Sequence, residues 1–193
     1  MLKKSLLIFL SAVVLVLSSH AAMAEDYIID SKNAHAFIQF KISHLGYSWI
    51  LGRFNRFVGT FSYDEKNPQA SKVKVTVDTT SVDTNNAERD KHLRSEKFFE
   101  VKKYTEAVFV SRAYEPKGDD TAVLKGDFTL HGVTRPMEIK VKHIGAGKDP
   151  WGGFRRGFEG SAKLALSDYN INTNLGPASK EVELFLSIEG IKK

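Results

Sequence analysis

A period of two governs this chain from about residue 26 onward. In SKVKVTVDT, Val73, Val75 and Val77 share one face, while Lys72, Lys74 and Thr76 take the other. In PMEIKVKHI, Met137, Ile139 and Val141 oppose Glu138, Lys140 and Lys142, and in KEVELFLSIEG, Val182, Leu184, Leu186 and Ile188 oppose Glu181, Glu183 and Glu189. Side chains alternate across a strand, so these runs predict half-buried antiparallel strands with one wet face.

Five less regular runs extend the set. AHAFIQFKI (34–42) aligns Ala36, Ile38, Phe40 and Ile42, and GRFNRFVGTFSYD (52–64) aligns Phe57, Phe61 and Tyr63. TAVLKGDFTL (121–130) aligns Ala122, Leu124, Phe128 and Leu130, and FEGSAKLALS (158–167) aligns Phe158, Ala162, Leu164 and Leu166. EAVFVSRAY (106–114) is apolar on both faces and has no readable orientation. Connectors rich in Gly, Pro, Asn and Asp, such as KNPQA, KGDD, HGVTRP and GAGKDPWGG, separate neighbouring runs, so hairpins dominate. Eight strands with one helical segment leave a sandwich or a closed barrel, filled by side chains or holding one small ligand.

The helical exception is DTNNAERDKHL, residues 83–93. Asn85 followed by Glu88 fits a capping box, and Glu88 with His92, and Asp90 with Arg94, share faces at i, i+4. A second short element is expected at SEKFF, where Ser95 would cap and Phe98 and Phe99 bring apolar bulk.

The first two dozen residues read as a leader. Lys3 and Lys4 precede the apolar run SLLIFLSAVVLVL, and Ala22-Met23-Ala24 forms an A-x-A cleavage site. The run is too short for comfortable spanning at about 20 residues per crossing, so no stable membrane anchor is expected. Cleavage after Ala24 would leave residues 25–193 as a single domain, its formal charge falling from +5 to +3 with the loss of Lys3 and Lys4. Export and scattered basic residues argue against nucleic acid as a partner. The absence of cysteine rules out thiol catalysis, Cys-ligated zinc and disulfide exchange.

Motifs for chemistry are sparse. The histidines of the mature chain, His35, His44, His92, His131 and His143, form no tight ligand pair, and no metal or cofactor is expected. Asp83, Asn85 and Asp90 fail the EF-hand spacing, because Ala87 and Glu88 stand at the third-ligand and glycine positions. No nucleophile elbow, Walker loop or dinucleotide fingerprint occurs. Aromatic residues are the stronger signal, with Phe40, Phe57, Phe61, Phe98, Phe99, Phe128 and Phe158 accompanied by Trp49 and Trp151. They would fill a core or line a cavity. Gly59, Gly126 and Gly160 share the inward parity of Phe57, Phe128 and Phe158, which suggests unfilled volume or a barrel bend.

Five segments read together resemble the YceI-like family: HLGYSWILGRFNRFVGTF, VDTTSVDTNNAERDKHLRSEKFFEVKKY, LKGDFTLHGVTRPMEI, DPWGGFRRGFEG and LGPASKEVELFLSIEG. The most specific part is T-N-x-x-x-R-D-x-H-L, here Thr84, Asn85, Arg89, Asp90, His92 and Leu93. Thr105 departs from the family pattern, which usually has proline after the tyrosine matching Tyr104.

The resemblance implies an all-β, eight-stranded antiparallel lipocalin-like barrel with a short helical flap, exported to the periplasm. It implies an apolar cavity for a polyisoprenoid or quinone-like lipid, links to stress responses, and admits a homodimer. The expected ligand contacts are Phe40, Trp49, Phe57, Phe61, Phe128, Leu130, Ile139, Phe158, Leu164, Leu184 and Leu186 from the strands, with Leu93, Phe98 and Phe99 from the flap. Arg89, Asp90 and His92 would fix the flap or meet a head group. Two alternatives stand beside the carrier: an enzyme using His92, Asp90 or His44 as acid and base, and a stress protein acting through a basic surface.

Overall fold

The computed structural model describes residues 24–33 and 35–193, and residues 1–23 of the expected leader lie outside them. The strands are β1 (Glu25–Ile29), β2 (Phe37–His44), β3 (Ser48–Phe54), β4 (Phe57–Tyr63), β5 (Lys72–Asp78), β6 (Val82–Asp83), β7 (Glu106–Gly118), β8 (Thr121–Leu130), β9 (Val133–Lys148), β10 (Phe154–Ala165) and β11 (Glu181–Lys192). Among the described residues one α-helix, α1 (Ala87–Leu93), follows β6.

Eight of these strands close a ring in the order β1-β4-β5-β7-β8-β9-β10-β11, with β11 pairing back onto β1, and every pairing is antiparallel. Closure leaves the ring without a free edge. The long β11 holds two partners: Gly190 lies opposite Ile29 of β1, while Val182 to Ser187 lie opposite Ile42 to Phe37 of β2. From β2 the sheet continues to β3, whose far edge meets the two-residue β6 at Arg53 and Phe54.

The alternating apolar residues do face inward. Ile38, Phe61, Val77, Leu124, Ile139, Leu164 and Val182 belong to one buried cluster. Three features of the strand pattern differ from the sequence reading, each for a local reason. First, EDYII forms a strand that the reading omitted, with Tyr27 fully buried and Ile28 outside. Second, the run 52–64 is two strands. Asn55 N–H donates to Ser81 O and Arg56 N–H to Ser81 Oγ, and this corner resets the alternation, so that Phe54 and Phe57 both turn inward across an odd spacing. Third, β7 shifts register against β8 between Ser111 and Ala113. An extra residue at a bulge flips the phase, which is why Phe109 and Tyr114 are both buried and the run looked apolar on both faces.

The inward glycines do not leave open volume as such. A Cβ on Gly126 would lie 2.6 Å from Phe109 Cζ, and one on Gly59 would lie 2.7 Å from Ile29 Cδ1. Neighbouring side chains occupy the space. The SEKFF segment forms turns rather than a second helix, with Ser95 Oγ donating to His92 O at 2.7 Å.

An ion-pair hub pins β10 to the chain after β1. Arg155 Nη1 donates to Asp30 Oδ2 at 2.8 Å and its Nε to Asp149 Oδ2 at 2.8 Å, while Glu189 of β11 also meets Nη1. Burial works against charge on Asp30, but hydrogen bonds from His35, Arg155 and Asn33 outweigh it and hold the carboxyl at about 2.

Candidate functional site

The barrel encloses a cavity of about 430 Å³. Its wall is aliphatic and aromatic almost throughout, because the inward parity positions of each ring strand converge on it. Of the expected contacts, Phe40, Phe61, Leu93, Phe98, Phe99, Phe128, Leu130, Ile139, Phe158, Leu164, Leu184 and Leu186 line this cavity. Ile38, Ile42, Ile171 and Leu175 line it as well and were not singled out, the last two because they lie in a connector without periodicity.

Two expected contacts do not reach the wall. Trp49 is 57% exposed, with Lys41 Nζ 4.5 Å above its ring. It pairs with Ser43, one step from the inward Ile50 and Ile42 pair, so the strand period places it outside. Phe57 is buried at the start of β4, beside the corner, and packs in the core without touching the cavity.

At one end of the cavity sits α1. Its cap is Asn86, whose side chain accepts from Arg89 N–H at 2.9 Å, and not the expected Asn85 with Glu88. Asn85 instead takes a left-handed φ of 60° and donates its N–H to Asp83 Oδ1, a turn that asparagine tolerates better than most residues. Asp90 is buried and accepts from Thr84 N–H and Thr84 Oγ1–H. It therefore fastens the helix and does not line the cavity, which corrects the head-group option for this residue. Arg89 donates from Nε to Thr84 Oγ1 and from Nη2 to Thr84 O, and also borders the cavity. His92 borders it too, its ring edge-on to Phe98 at 5.0 Å. His44, at the end of β2, completes the polar margin there.

The other end is polar in a way that the sequence reading missed. Ser62, Tyr63, Ser71 and Tyr114 line it, and burial pushes the Tyr114 phenol up to about 12. Behind Tyr63 lies Arg156, only 2% exposed, its guanidinium 4.5 Å from the ring centroid. Arg156 Nε donates to Tyr27 OH at 3.2 Å, Nη2 to Glu65 Oε1 at 2.5 Å, and Nη1 meets His143 Nε2 at 3.2 Å. Burial, and then the Arg156 charge, lower the His143 pKa, so the ring is neutral near pH 7 and Nε2 is the acceptor. A signal for Arg156 existed: in FRRGF it has the same parity as the inward Phe158.

Chemistry beyond binding has little support in this arrangement. Among the described residues, one group has metal-ligand geometry, Asp30 with His35 and Glu189, and both of its carboxylates already hold Arg155. A guanidinium at that point repels a cation. His92 and His44 form no ion pair with a carboxylate among the described residues, and His92 rests against an aromatic ring.

The family match rests on nearly the same span as the barrel: the YceI-like domain matches residues 27–190. The chain belongs to the YceI-like family. It is 54% identical to protein YceI of Escherichia coli over 192 residues, covering 100% of both chains. Burkholderia cenocepacia BcnA has a similar fold, with TM-score 0.73 at 20% identity over 83% of this chain and 98% of that one. A polyisoprenoid-binding domain from Saccharophagus degradans, implicated in plant cell wall breakdown, aligns with TM-score 0.64 at 16% identity over 86% of this chain and 98% of that one. Among the described residues no helix of this YceI-like protein is long and apolar enough to cross a membrane.

Proposed function

We propose that this protein is a periplasmic carrier that holds a polyisoprenoid lipid, such as a prenyl quinone or its precursor, inside the barrel. The observation that carries this reading is the continuous apolar wall running from Phe98 and Phe99 under α1 to Phe61 and Phe158 toward the far end. At about 0.8 kcal/mol per buried CH₂, a chain of several isoprene units gains ample affinity from such a wall with no catalytic group. The leader pattern at residues 1–24 supports export, and the polyisoprenoid-binding neighbour supports the ligand class. An enzyme is the weaker reading, since His92 and His44 border the cavity without a carboxylate to set up acid-base transfer.

The deciding experiment is mass spectrometry of a solvent extract of the protein purified from its own cell envelope, beside a denatured control. A stoichiometric prenyl lipid is expected. An empty extract, together with no uptake of prenyl quinones by the purified protein, would overturn the proposal.

A further inference from the structure

Ser71 sits between the short 3-10 turn at Pro68–Ala70 and β5, is 6% exposed, and faces the cavity. Its Oγ has no hydrogen-bond partner among the described residues. Buried hydroxyls are paired in nearly every folded protein, so one left over on a cavity wall marks a place for an oxygen or nitrogen atom from elsewhere.

Its surroundings extend the polarity. Ser62 pairs with Lys72, which puts Tyr63 beside Ser71 at the next step of the same ladder. Tyr114 approaches from β7, its ring 6.2 Å from that of Tyr63 and at 88° to it. Neither phenol forms a hydrogen bond among the described residues, although Tyr27, in the layer behind, donates to Glu25. Arg156 lies over the Tyr63 face, and a cation there favours donation from the phenol. That cation is already held by Glu65, Tyr27 and His143, so it has little left for a phosphate.

We infer that this end of the cavity is a polar subsite for the neutral, oxygen-bearing head of a prenyl lipid, with Ser71 as the contacting hydroxyl and Tyr63 and Tyr114 beside it. The ligand then lies head inward, its hydrocarbon tail running toward α1. This places the head opposite Arg89 and His92 and rests on the carrier reading above. A quinone carbonyl or a phenol hydroxyl suits three neutral donor-acceptor groups, whereas a prenyl phosphate would be buried without a free cation.

The test compares two probes of equal chain length, a prenyl quinone and the oxygen-free polyprenyl hydrocarbon, on the mature protein and on Ser71→Ala. The quinone is expected to bind about tenfold more tightly to the wild type, one hydrogen bond's worth. In Ser71→Ala that ratio is expected to fall toward one while hydrocarbon affinity stays unchanged. If neither probe binds any protein, the carrier reading fails. If both bind and the ratio is untouched by Ser71→Ala, this subsite is wrong and Ser71 is served by water. Loss of the ratio in His92→Ala alone would move the head to the α1 end and likewise overturn the inference. Tyr114→Phe, which keeps the ring packing, repeats the test should Ser71→Ala unfold.

Discussion

Thr84 offers both its backbone N–H, at 2.9 Å, and its hydroxyl, at 2.5 Å, to one carboxylate oxygen of Asp90. The same hydroxyl accepts from Arg89 Nε, and the Thr84 carbonyl accepts from Arg89 Nη2. A seven-residue helix is marginal alone, so this knot, with the Asn86 cap, holds α1 over the cavity. In Asp90→Ala the buried Thr84 N–H and hydroxyl lose their acceptor, at a cost of about 1–3 kcal/mol for each buried group left unpaired. Urea unfolding should show that loss, and amides of residues 87–93 should exchange faster than those of β10.

Phe40 lies across the Gly52 backbone so closely that a Cβ there would collide with its Cζ. Gly52→Ala is therefore expected to push Phe40 off its rotamer and cost about 1–3 kcal/mol. The pair Gly52→Ala with Phe40→Leu should recover part of that loss in a denaturant titration. Recovery would tie the cost to the ring and not to the strand backbone.

Cavity and core residues should separate cleanly. Leu186→Trp adds bulk at the wall and is expected to abolish prenyl-lipid binding while the far-ultraviolet circular dichroism stays that of a barrel. Phe57→Ala is expected to cost about 3–5 kcal/mol in stability with lipid affinity unchanged once the protein is folded. Trp49→Ala, on the outside, should change neither quantity.

Both tryptophans face solvent, Trp49 at 57% and Trp151 at 77% exposure. The emission maximum should accordingly be that of water-exposed indole and should not move when a prenyl lipid without chromophore enters the barrel. A blue shift on binding would show that Trp49 or Trp151 is covered by the ligand.

Acid should loosen the Arg155 hub through Asp30. Its carboxyl is held at about 2 in the folded protein, below an unfolded value of about 3.9, so its contribution is complete above the unfolded value and is lost as pH falls toward 2. The loss is on the order of 2 kcal/mol. Stability measured by urea titration from pH 5 down to 2 should fall, and Asp30→Asn should start lower and fall less.

Much of the barrel was legible from residues alone. The strands at Val73–Val77, Met137–Val141 and Val182–Ile188 keep an unbroken period of two, and their apolar members do face inward. Of the expected cavity residues, Ile139, Leu184 and Leu186 came from these runs, and most of the others came from the less regular ones. Legibility ended where the period is interrupted: the Asn55–Arg56 corner that splits 52–64 into β3 and β4 was not visible, and the Ser111–Ala113 bulge left 106–114 without a readable orientation, because one extra or turned residue reverses the faces and nothing in local composition announces it. The cap shifted from Asn85 to Asn86 for a similar reason, since adjacent asparagines serve equally well as caps and the turn from β6 decides between them.

What the sequence determined by itself was an antiparallel all-β chain with a helical insertion within residues 83–93 and an aromatic, cysteine-free interior, because alternation, turn residues and composition act over a few neighbours. Tertiary structure alone decided that Trp49 faces out, that Phe57 misses the cavity, and that Ser71, Tyr63, Tyr114 and Arg156 meet at its far end. Tyr63 and Ser71 flank a single turn, but Tyr114 and Arg156 come from strands much further along the chain. Only ring closure and strand register, which sum pairings over the whole sheet, bring them together.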